Sequence, residues 1–152
     1  MRMDEVTLRE YDASDLDAMC TLDDVCFAPP FRFSRRAMRA FAEARAASVV
    51  VAEAAGKLAG FCIAHIEEQT GYVVTLDVAP EWQRKGVARR LMEEVEARVR
   101  AGGGRGMELH VFTGNAAAIR FYEGMGYGRV GIVERFYGRG LDALVYRKSF
   151  VG

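Results

Sequence analysis

The sequence predicts an α+β protein of mixed α/β type, with a central mixed seven-stranded sheet flanked by about four helices. Seven strand-like and four helix-like segments follow one another in the order β-α-α-β-β-β-α-β-α-β-β. Residues 72–112 read as strand, helix, strand, so these two strands are expected to be parallel. Short turns between strands two, three and four predict an antiparallel meander.

The composition is that of an ordinary globular protein. Of 152 residues, 28% are charged and 51% apolar, which predicts a single domain over residues 1–152. The 21 basic and 21 acidic residues cancel, so no net field gathers nucleic acid or an anionic membrane. No apolar run is long enough to cross a bilayer. We therefore expect neither nucleic acid nor a membrane as a partner.

The three cysteines, Cys20, Cys26 and Cys62, have neither metal-ligand nor CxxC spacing. An odd number of cysteines, behind an N-terminus too charged for a signal peptide, predicts reduced thiols in a cytoplasmic protein. We expect no metal site, and we expect all three thiols to pack in the core rather than to act in catalysis.

The first part of the chain predicts one strand and two helices. Residues 5–10 alternate apolar and polar side chains, as a strand does. A helix capped by Asp12 or Ser14 follows. Its expected inner face carries Leu16, Met19, Leu22 and Val25. The apolar, proline-containing segment 27–31 ends that helix, and Ser34 caps the next one, with Met38, Phe41 and Ala42 facing inward.

The meander and the crossover come next. Residues 48–54 and 58–69 form a hairpin around Gly56, and Thr70-Gly71 is predicted to turn the chain into strand 72–78. After Ala79-Pro80 breaks that strand, a basic loop closes at Gly86 and a helix runs from 87 to 100. This helix has four inward apolar positions, Val87, Leu91, Val95 and Val99. Backbone N–H groups and two cations, Arg84 and Lys85, at a helix N-terminus predict a phosphate or pyrophosphate site.

The last third predicts a connector, a helix and three strands. The expected boundaries are connector 101–106, strand 107–112, helix 116–125, strand 127–133, loop 134–140 and strand 141–150. Gly126 ends the helix. The glycine-rich connector follows a helix instead of a strand, which argues against a nucleotide-binding loop.

Two motifs resemble those of the GCN5-related N-acetyltransferases. Residues 83–88 (QRKGVA) resemble the Q/R-x-x-G-x-G/A signature, with Ala88 at the second glycine position. Residues 115–123 (NAAAIRFYE) followed by 125–127 (MGY) are similar to the family's N-x-x-A-I-x-x-Y-E-x-x-G-F/Y segment. The resemblance covers nearly the whole chain and implies a fold in which strands four and five splay apart.

The resemblance also implies a donor, acetyl-CoA. In such enzymes the loop amides hold the pyrophosphate, the strand before the loop pairs with the pantetheine arm, and the short helix contacts the cofactor. Gly86 lets the backbone approach the phosphates. The implied cofactor-binding residues here are Leu76, Asp77, Val78, Gln83, Arg84, Lys85, Gly86, Val87, Ala88, Asn115, Ala118 and Tyr122.

Within the family, the chain looks like the protein N-terminal (Nα) acetyltransferases. Residues 108–115 (ELHVFTGN) stand in the place of their L-x-V-x-x-x-N stretch. Residues 134–138 and 142–143 resemble their R-x-Y-Y…(E/D)-D-A segment, with Phe136 replacing the first tyrosine. The implied acceptor-binding residues are Phe27, Pro29, Phe31, Phe136 and Tyr137.

The resemblance assigns three residues to the chemistry. Bacterial ribosomal-protein acetyltransferases usually carry Glu as base on strand five, whereas this chain has His110. Eukaryotic N-terminal acetyltransferases of Met-starting proteins pair such a His with a strand-four Tyr, here Tyr72, and this pair is the expected base. Tyr122 is the expected acid. Glu67, Glu68 and Asp77 are alternative bases for a small amine, and packing is the alternative role of His110.

The expected function is acetyl transfer to a primary amine by direct attack in a ternary complex, most simply to a protein or peptide N-terminal α-amine. An α-amine, with a pKa of about 7.7–8.0, needs only a modest base. A small amine (polyamine, amino acid or antibiotic) or a lysine side chain is the enzymatic alternative, and a non-catalytic acyl-CoA-binding module is the alternative of another class. The expected state is a monomer or a homodimer.

Overall fold

The computed structural model describes residue 2 and residues 5–150. The seven strands and four helices of this part follow the predicted order. They are β1 (Val6–Glu10), α1 (Leu16–Cys26), α2 (Arg35–Ala42), β2 (Ala47–Ala54), β3 (Lys57–Glu67), β4 (Thr70–Val78), α3 (Val87–Ala101), β5 (Gly106–Phe112), α4 (Ala116–Gly124), β6 (Gly128–Gly138) and β7 (Leu141–Ser149). The predicted domain limits, residues 1 and 152, lie outside the described residues.

The strands form one mixed sheet in the order β1-β2-β3-β4-β5-β7-β6. Strands β4 and β5 are parallel, and the other neighbouring pairs of the described chain are antiparallel. The predicted crossover and the predicted meander of β2, β3 and β4 are both confirmed.

Helices cover both faces of the sheet. A Cβ atom on Gly71 of β4 would lie 2.6 Å from Val99 of α3, so Gly71 faces α3. The next residue, Tyr72, is paired in register with His65, whose Nε2 lies 2.9 Å from the carbonyl oxygen of Phe41 in α2. Because successive strand residues point to opposite faces, α3 and α2 lie on opposite sides of β4. The four predicted inward positions of α3 are all buried.

Ser34 caps α2 as predicted, but α1 begins after Asp15, which makes no side-chain cap, and one predicted core position of α1 is wrong. Ser34 accepts a hydrogen bond from the Ala37 amide, and Asp12 caps the short turn that precedes α1. Val25, predicted to face inward, is 58% exposed. At 100° per residue Val25 lies opposite Leu16, whereas Asp23, seven residues on, returns to the same face. Asp23 is accordingly buried.

The turn between β3 and β4 lies at Glu68-Gln69, not at Thr70-Gly71 as predicted. Both turn residues have positive φ, 49° and 68°, which is the conformation of a two-residue hairpin turn. Gly71 is a strand residue paired with Met107. Its hydrogen side chain permits close packing against α3 instead of a turn.

The predicted loop 134–140 is also wrong, because β6 extends to Gly138 and only two residues separate it from β7. The pairing of β6 with β7 shifts between Val133 and Gly138, so the intervening residues form a bulge. Arg135 in this bulge has a φ of 57°, and its amide donates to Asp142 Oδ1 at 2.9 Å. The two aromatic residues of this segment, Phe136 and Tyr137, lie in the bulge.

Two further expectations concern the thiols and the membrane. All three cysteines are free; Cys62 is buried, while Cys20 and Cys26 are only half-buried, so the prediction of core packing holds fully for Cys62 alone. Among the described residues, no helix is both long enough and apolar enough to cross a membrane.

Candidate functional site

The parallel strands β4 and β5 separate part of the way along their length. Residues 70–73 of β4 pair with residues 106–109 of β5, and the two strands are not paired beyond that point. The pairing of β4 with β3 shifts on the other side at the same point, where Ala64 faces Val73 and Ile63 faces Thr75, so Val74 is the extra residue of a bulge. The predicted splay is confirmed. Residues 74–78 therefore present a backbone edge that no strand of the described chain pairs on the β5 side.

The N-terminus of α3 lies beyond the end of β4 and has the form of an anion site. Gly86 has a φ of 90°, and a Cβ atom there would meet no protein atom within 4 Å. Within the described chain, no side chain caps the first turn of α3, so its amides have their hydrogen-bonding capacity available. Val87 is buried beneath the loop, while Arg84 and Lys85 are exposed beside it.

Gln83 and Ala88 complete the predicted cofactor loop. The Gln83 side chain donates to the Val78 carbonyl oxygen at 3.0 Å, and the Cys26 thiol donates to the same oxygen at 3.3 Å. Gln83 thus ties the loop to the end of β4. Ala88 lies half-buried in the first turn of α3.

The two predicted base residues are in direct contact. Tyr72 is paired in register with Glu108 across the parallel strands, and its hydroxyl lies 2.8 Å from His110 Nδ1. Burial, followed by the charge of Glu108, raises the pKa of Tyr72 to about 12. Burial lowers the pKa of His110 below its ordinary value, against the opposing charge of Glu108. Both side chains are therefore neutral near pH 7.

An aromatic cluster adjoins His110. The His110 ring stacks on Phe136, with centroids 4.1 Å apart and planes 3° from parallel. Phe136 meets Tyr137 edge-on at 4.9 Å. Phe31, from the turn between α1 and α2, packs 5.0 Å from Tyr137 and 4.9 Å from Phe112. The structure thus brings together three of the five predicted acceptor residues.

The other two predicted acceptor residues, Pro29 and Phe27, take no part in these ring contacts. Pro29 begins the short turn that carries Phe31. Phe27 ends α1, its carbonyl oxygen accepts from Arg32, and its ring joins no aromatic pair within residues 5–150. Phe112 was missed as a site residue, although strand alternation places it on the same face as His110 and could have found it.

The predicted acid, Tyr122, is buried in α4 with 8% of its surface exposed. Burial raises its pKa far above the ordinary value, with smaller contributions from Cys62 and Asp77. Its hydroxyl has no hydrogen bond to any described residue, so it keeps its proton and has it available to donate. Asn115 caps α4 by accepting from the amide of Ala118 at 3.1 Å, which fixes the helix that carries Tyr122.

The three alternative bases occupy two different places. Asp77 is 1% exposed and contacts Asp23, so its carboxyl faces the interior of the protein. Burial and then Asp23 raise the pKa of Asp77 well above its ordinary value. Glu67 and Glu68 line a cavity of about 380 Å³ at the Tyr72 end of β4. Asp23 was missed, although its helical phase with Leu16 marks it as buried.

Comparison with known proteins places the chain in a family. The acetyltransferase (GNAT) family profile matches residues 16–127. A ribosomal protein bS18-alanine N-acetyltransferase of Escherichia coli K12 is 32% identical over 82 residues, 54% of this chain and 55% of that protein. The N-alpha-acetyltransferase RimI of Mycobacterium tuberculosis is 37% identical over 78 residues, 51% of this chain and 48% of that protein. The chain thus spans about half the length of the curated relatives it matches.

The likeness of fold extends further. The crystal structure of Ard1 from Thermoplasma volcanium superimposes with a TM-score of 0.90 at 19% identity, over 97% of this chain and 99% of that one. The family match runs from α1 to Tyr127, and it includes the opening between β4 and β5, the amide-rich start of α3 and all of α4. The chain therefore belongs to the acetyltransferase (GNAT) family.

Proposed function

We propose that this protein is an acetyl-CoA-dependent N-acetyltransferase that acts on the α-amine of a protein or peptide N-terminus. The observation that carries the proposal is the Tyr72–His110 contact of 2.8 Å at the point where β4 and β5 separate. A neutral phenol and a neutral imidazole beside an opening between strands form a proton acceptor where a donor and an amine can meet.

The chain's own groups fit acetyl-CoA. The uncapped amides of α3, with Arg84 and Lys85 beside them, suit its pyrophosphate. The free backbone edge of residues 74–78 suits the amides of its pantetheine arm. When bound, acetyl-CoA supplies the acetyl group as a thioester.

Three side chains would move the protons. Attack by the amine nitrogen on the thioester carbonyl carbon would form the new carbon–nitrogen bond and break the carbon–sulfur bond. Tyr72 takes the amine proton through a water and passes its own proton to His110 Nδ1. Tyr122 gives its proton to the departing sulfur. At the end of the reaction His110 has gained one proton and Tyr122 has lost one.

The aromatic cluster supports a peptide acceptor. Phe31, Phe136 and Tyr137 come from two segments and form a continuous apolar surface that begins at His110, which suits an apolar first side chain next to the reacting amine. One relative is named a ribosomal protein bS18-alanine N-acetyltransferase and another an N-alpha-acetyltransferase. An α-amine is also about 2.5 pKa units less basic than lysine, so the weak base at this site favours it.

A small cationic amine is the second candidate, because of the cavity near Tyr72. Three carboxylates, Glu67, Glu68 and Glu108, line it together with His65 and Thr70. Carboxylates attract ammonium groups, so a polyamine could place one amine at Tyr72 and another among the glutamates. A module that only binds acyl-CoA would not require the Tyr72–His110 contact.

The three free thiols support a cytoplasmic location for the protein.

The test is acetylation of an N-terminal peptide library beside a panel of polyamines, amino acids and aminoglycosides, with labelled acetyl-CoA. We expect the peptides to be acetylated with the higher kcat/KM. A higher kcat/KM for the small amines would favour the second candidate, a small cationic amine. Binding of acetyl-CoA without transfer to any acceptor would favour the non-catalytic module.

A further inference from the structure

Two buried aspartates face each other between α1 and β4. Asp23 is 0% and Asp77 1% exposed. One oxygen of each carboxyl has a donor: the Phe33 amide donates to Asp23 Oδ2 at 2.8 Å, and the Thr75 hydroxyl donates to Asp77 Oδ1 at 2.6 Å. Among the described residues, the other two oxygens, Asp23 Oδ1 and Asp77 Oδ2, are the buried side-chain atoms that lack a hydrogen-bond partner.

Among the described residues, no basic side chain forms an ion pair or a hydrogen bond with either aspartate. Asp77 is influenced by burial, Asp23 and Thr75, and no basic side chain of the described chain contributes. The other titratable groups that face it are Cys26 of α1, Cys62 of β3 and Tyr122 of α4, which sense its charge. Cys20 of α1 senses Asp23. Two adjacent buried carboxylates without a cation cannot both remain ionised.

We propose that Asp23 and Asp77 share one proton between Oδ1 and Oδ2, and that this hydrogen bond positions the α1–α2 segment over the acceptor side of the site. A shared proton satisfies both unpartnered oxygens at once. It leaves one negative charge, which the Phe33 amide and the Thr75 hydroxyl stabilise.

The geometry connects the two substrate sites. Through its second oxygen, Asp23 holds the amide of Phe33, two residues after Phe31, whose ring packs on Phe112 and Tyr137. Asp77 lies in the part of β4 with the free backbone edge. Asp23 and Asp77 are thus positioning residues. This role rests on the proposed function, whereas the shared proton does not.

The proposal has a consequence for pH. Removal of the shared proton at alkaline pH places two carboxylates side by side, and their repulsion separates α1 from β4. The α1–α2 segment then loses its position, so the KM for the acceptor rises. An Asn at position 23 would keep the link at every pH, because its oxygen accepts from Phe33 and its amide donates to Asp77.

The proton is tested directly by NMR titration of the protein labelled with ¹³C at the aspartate carboxyl carbons. We expect one aspartyl carboxyl of the wild type to remain protonated at neutral pH, and Asp23→Asn to remove that signal. A wild-type protein whose aspartates are all ionised at neutral pH overturns the proposal. This readout does not depend on enzyme activity.

The positioning role is tested with Asp23→Ala, Asp23→Asn and the control Asp24→Asn, whose carboxylate is exposed and lies 3.9 Å from Arg32. We expect Asp23→Ala to raise the acceptor KM and the hydrogen-exchange rate of the Phe33 amide by about ten-fold or more, since a hydrogen bond to a charged group is lost. Asp23→Asn restores both values, and Asp24→Asn changes neither.

The pH dependence separates positioning from a merely structural role. The acceptor KM of the wild type should rise at alkaline pH relative to that of Asp23→Asn. An identical KM profile in the two proteins overturns the positioning role, even if Asp23→Ala fails to fold. If the protein acetylates no amine, the proposed function fails, and the NMR titration still decides whether the proton is shared.

Discussion

Tyr122 keeps its proton because burial disfavours the phenolate. We predict that Tyr122→Phe lowers kcat by about ten-fold or more, because the departing sulfur loses its proton donor, and leaves acetyl-CoA affinity nearly unchanged, because the ring is kept. The ring contacts with Phe121 and Tyr127 would survive the substitution. Turnover and calorimetric binding measure the two effects.

The control is Tyr11→Phe. It removes a hydroxyl that donates to Glu43 Oε2 at 2.8 Å, a contact outside the candidate site. It should leave kcat unchanged. Equal turnover in wild type and Tyr122→Phe would remove Tyr122 from the chemistry.

His110 makes a prediction about pH. Its pKa is lowered by burial, so the imidazole is neutral, and able to take a proton, even below its ordinary pKa of about 6.5. The acceptor amine needs a base most where it is protonated, at low pH. His110→Ala should therefore lose the most kcat/KM at low pH, and the loss should shrink as pH rises past about 8.

The pH–rate profiles of His110→Ala and His65→Ala provide the comparison. His65 is the only other histidine of the sequence, and its ring contacts the Phe41 carbonyl oxygen. We expect His65→Ala to show no pH-dependent loss. A loss in His110→Ala that is constant with pH would identify His110 as a packing residue.

Single residues were predictable from the sequence where a motif fixed both their type and their place. Tyr72, His110 and Tyr122 belong to such motifs, and the first two are in contact. Periodicity indicates the faces on which Asp23 and Phe112 lie, but their partners, Asp77 and Phe31, are known only from the packing of α1 on β4 and of Phe31 on β5. Phe27 shows the reverse, since the resemblance assigned it to the acceptor site but its ring joins no aromatic pair within residues 5–150.

At the scale of elements, the backbone conformation of Gly86 shapes the start of α3. Gly86 has a φ of 90°, and a Cβ atom there would contact no protein atom. Gly86→Ala should cost about 1–2 kcal/mol of stability through backbone strain alone. It should weaken acetyl-CoA binding about ten-fold, because the added methyl group occupies space needed by the pyrophosphate.

The matched control is Gly124→Ala at the end of α4, where a Cβ atom also meets nothing within 4 Å and φ is not positive. Chemical denaturation and calorimetry should find Gly124→Ala no less stable than the wild type and equal to it in affinity. Unchanged acetyl-CoA affinity in Gly86→Ala would contradict the role of this loop.

Element order was predictable, but two boundaries were not. The sequence signals for turns are glycine and proline, and the chain departs from them at Glu68-Gln69, where ordinary residues adopt positive φ. Gly71 serves packing against α3 instead. The bulge in β6 likewise depends on Asp142 of β7 accepting from the Arg135 amide, a contact that no local pattern encodes.

At the scale of the molecule, a buried ion pair joins α3 to the C-terminal hairpin. Lys148 Nζ donates to Glu96 Oε1 at 2.9 Å, and the Tyr127 hydroxyl donates to Glu96 Oε2 at 2.7 Å. The Glu96 and Lys148 side chains are 9% and 22% exposed. Lys148→Met should destabilise the protein by about 3 kcal/mol, because it leaves a buried charge without its cation.

Urea denaturation measures that loss against Arg89→Met. Arg89 and Glu93 form an exposed pair on α3 at 3.9 Å, and its removal should change the free energy of unfolding by less than about 0.5 kcal/mol. Similar effects of the two substitutions would show that the buried pair does not hold the layers together.

The fold as a whole was predictable because periodicity and the crossover rule fix the parallel pair β4–β5, around which the site is built. The identity of the acceptor depends on side chains from three segments that are far apart in the sequence. The sequence therefore determines the acceptor less well than it determines the fold.

The most direct test of the proposed activity is one peptide that carries a free α-amine and one internal lysine. After incubation with the protein and acetyl-CoA, fragmentation mass spectrometry locates the acetyl group. We predict acetylation at the α-amine, with the yield reduced in Tyr122→Phe. Acetylation of the lysine alone, or of neither amine, would contradict the account.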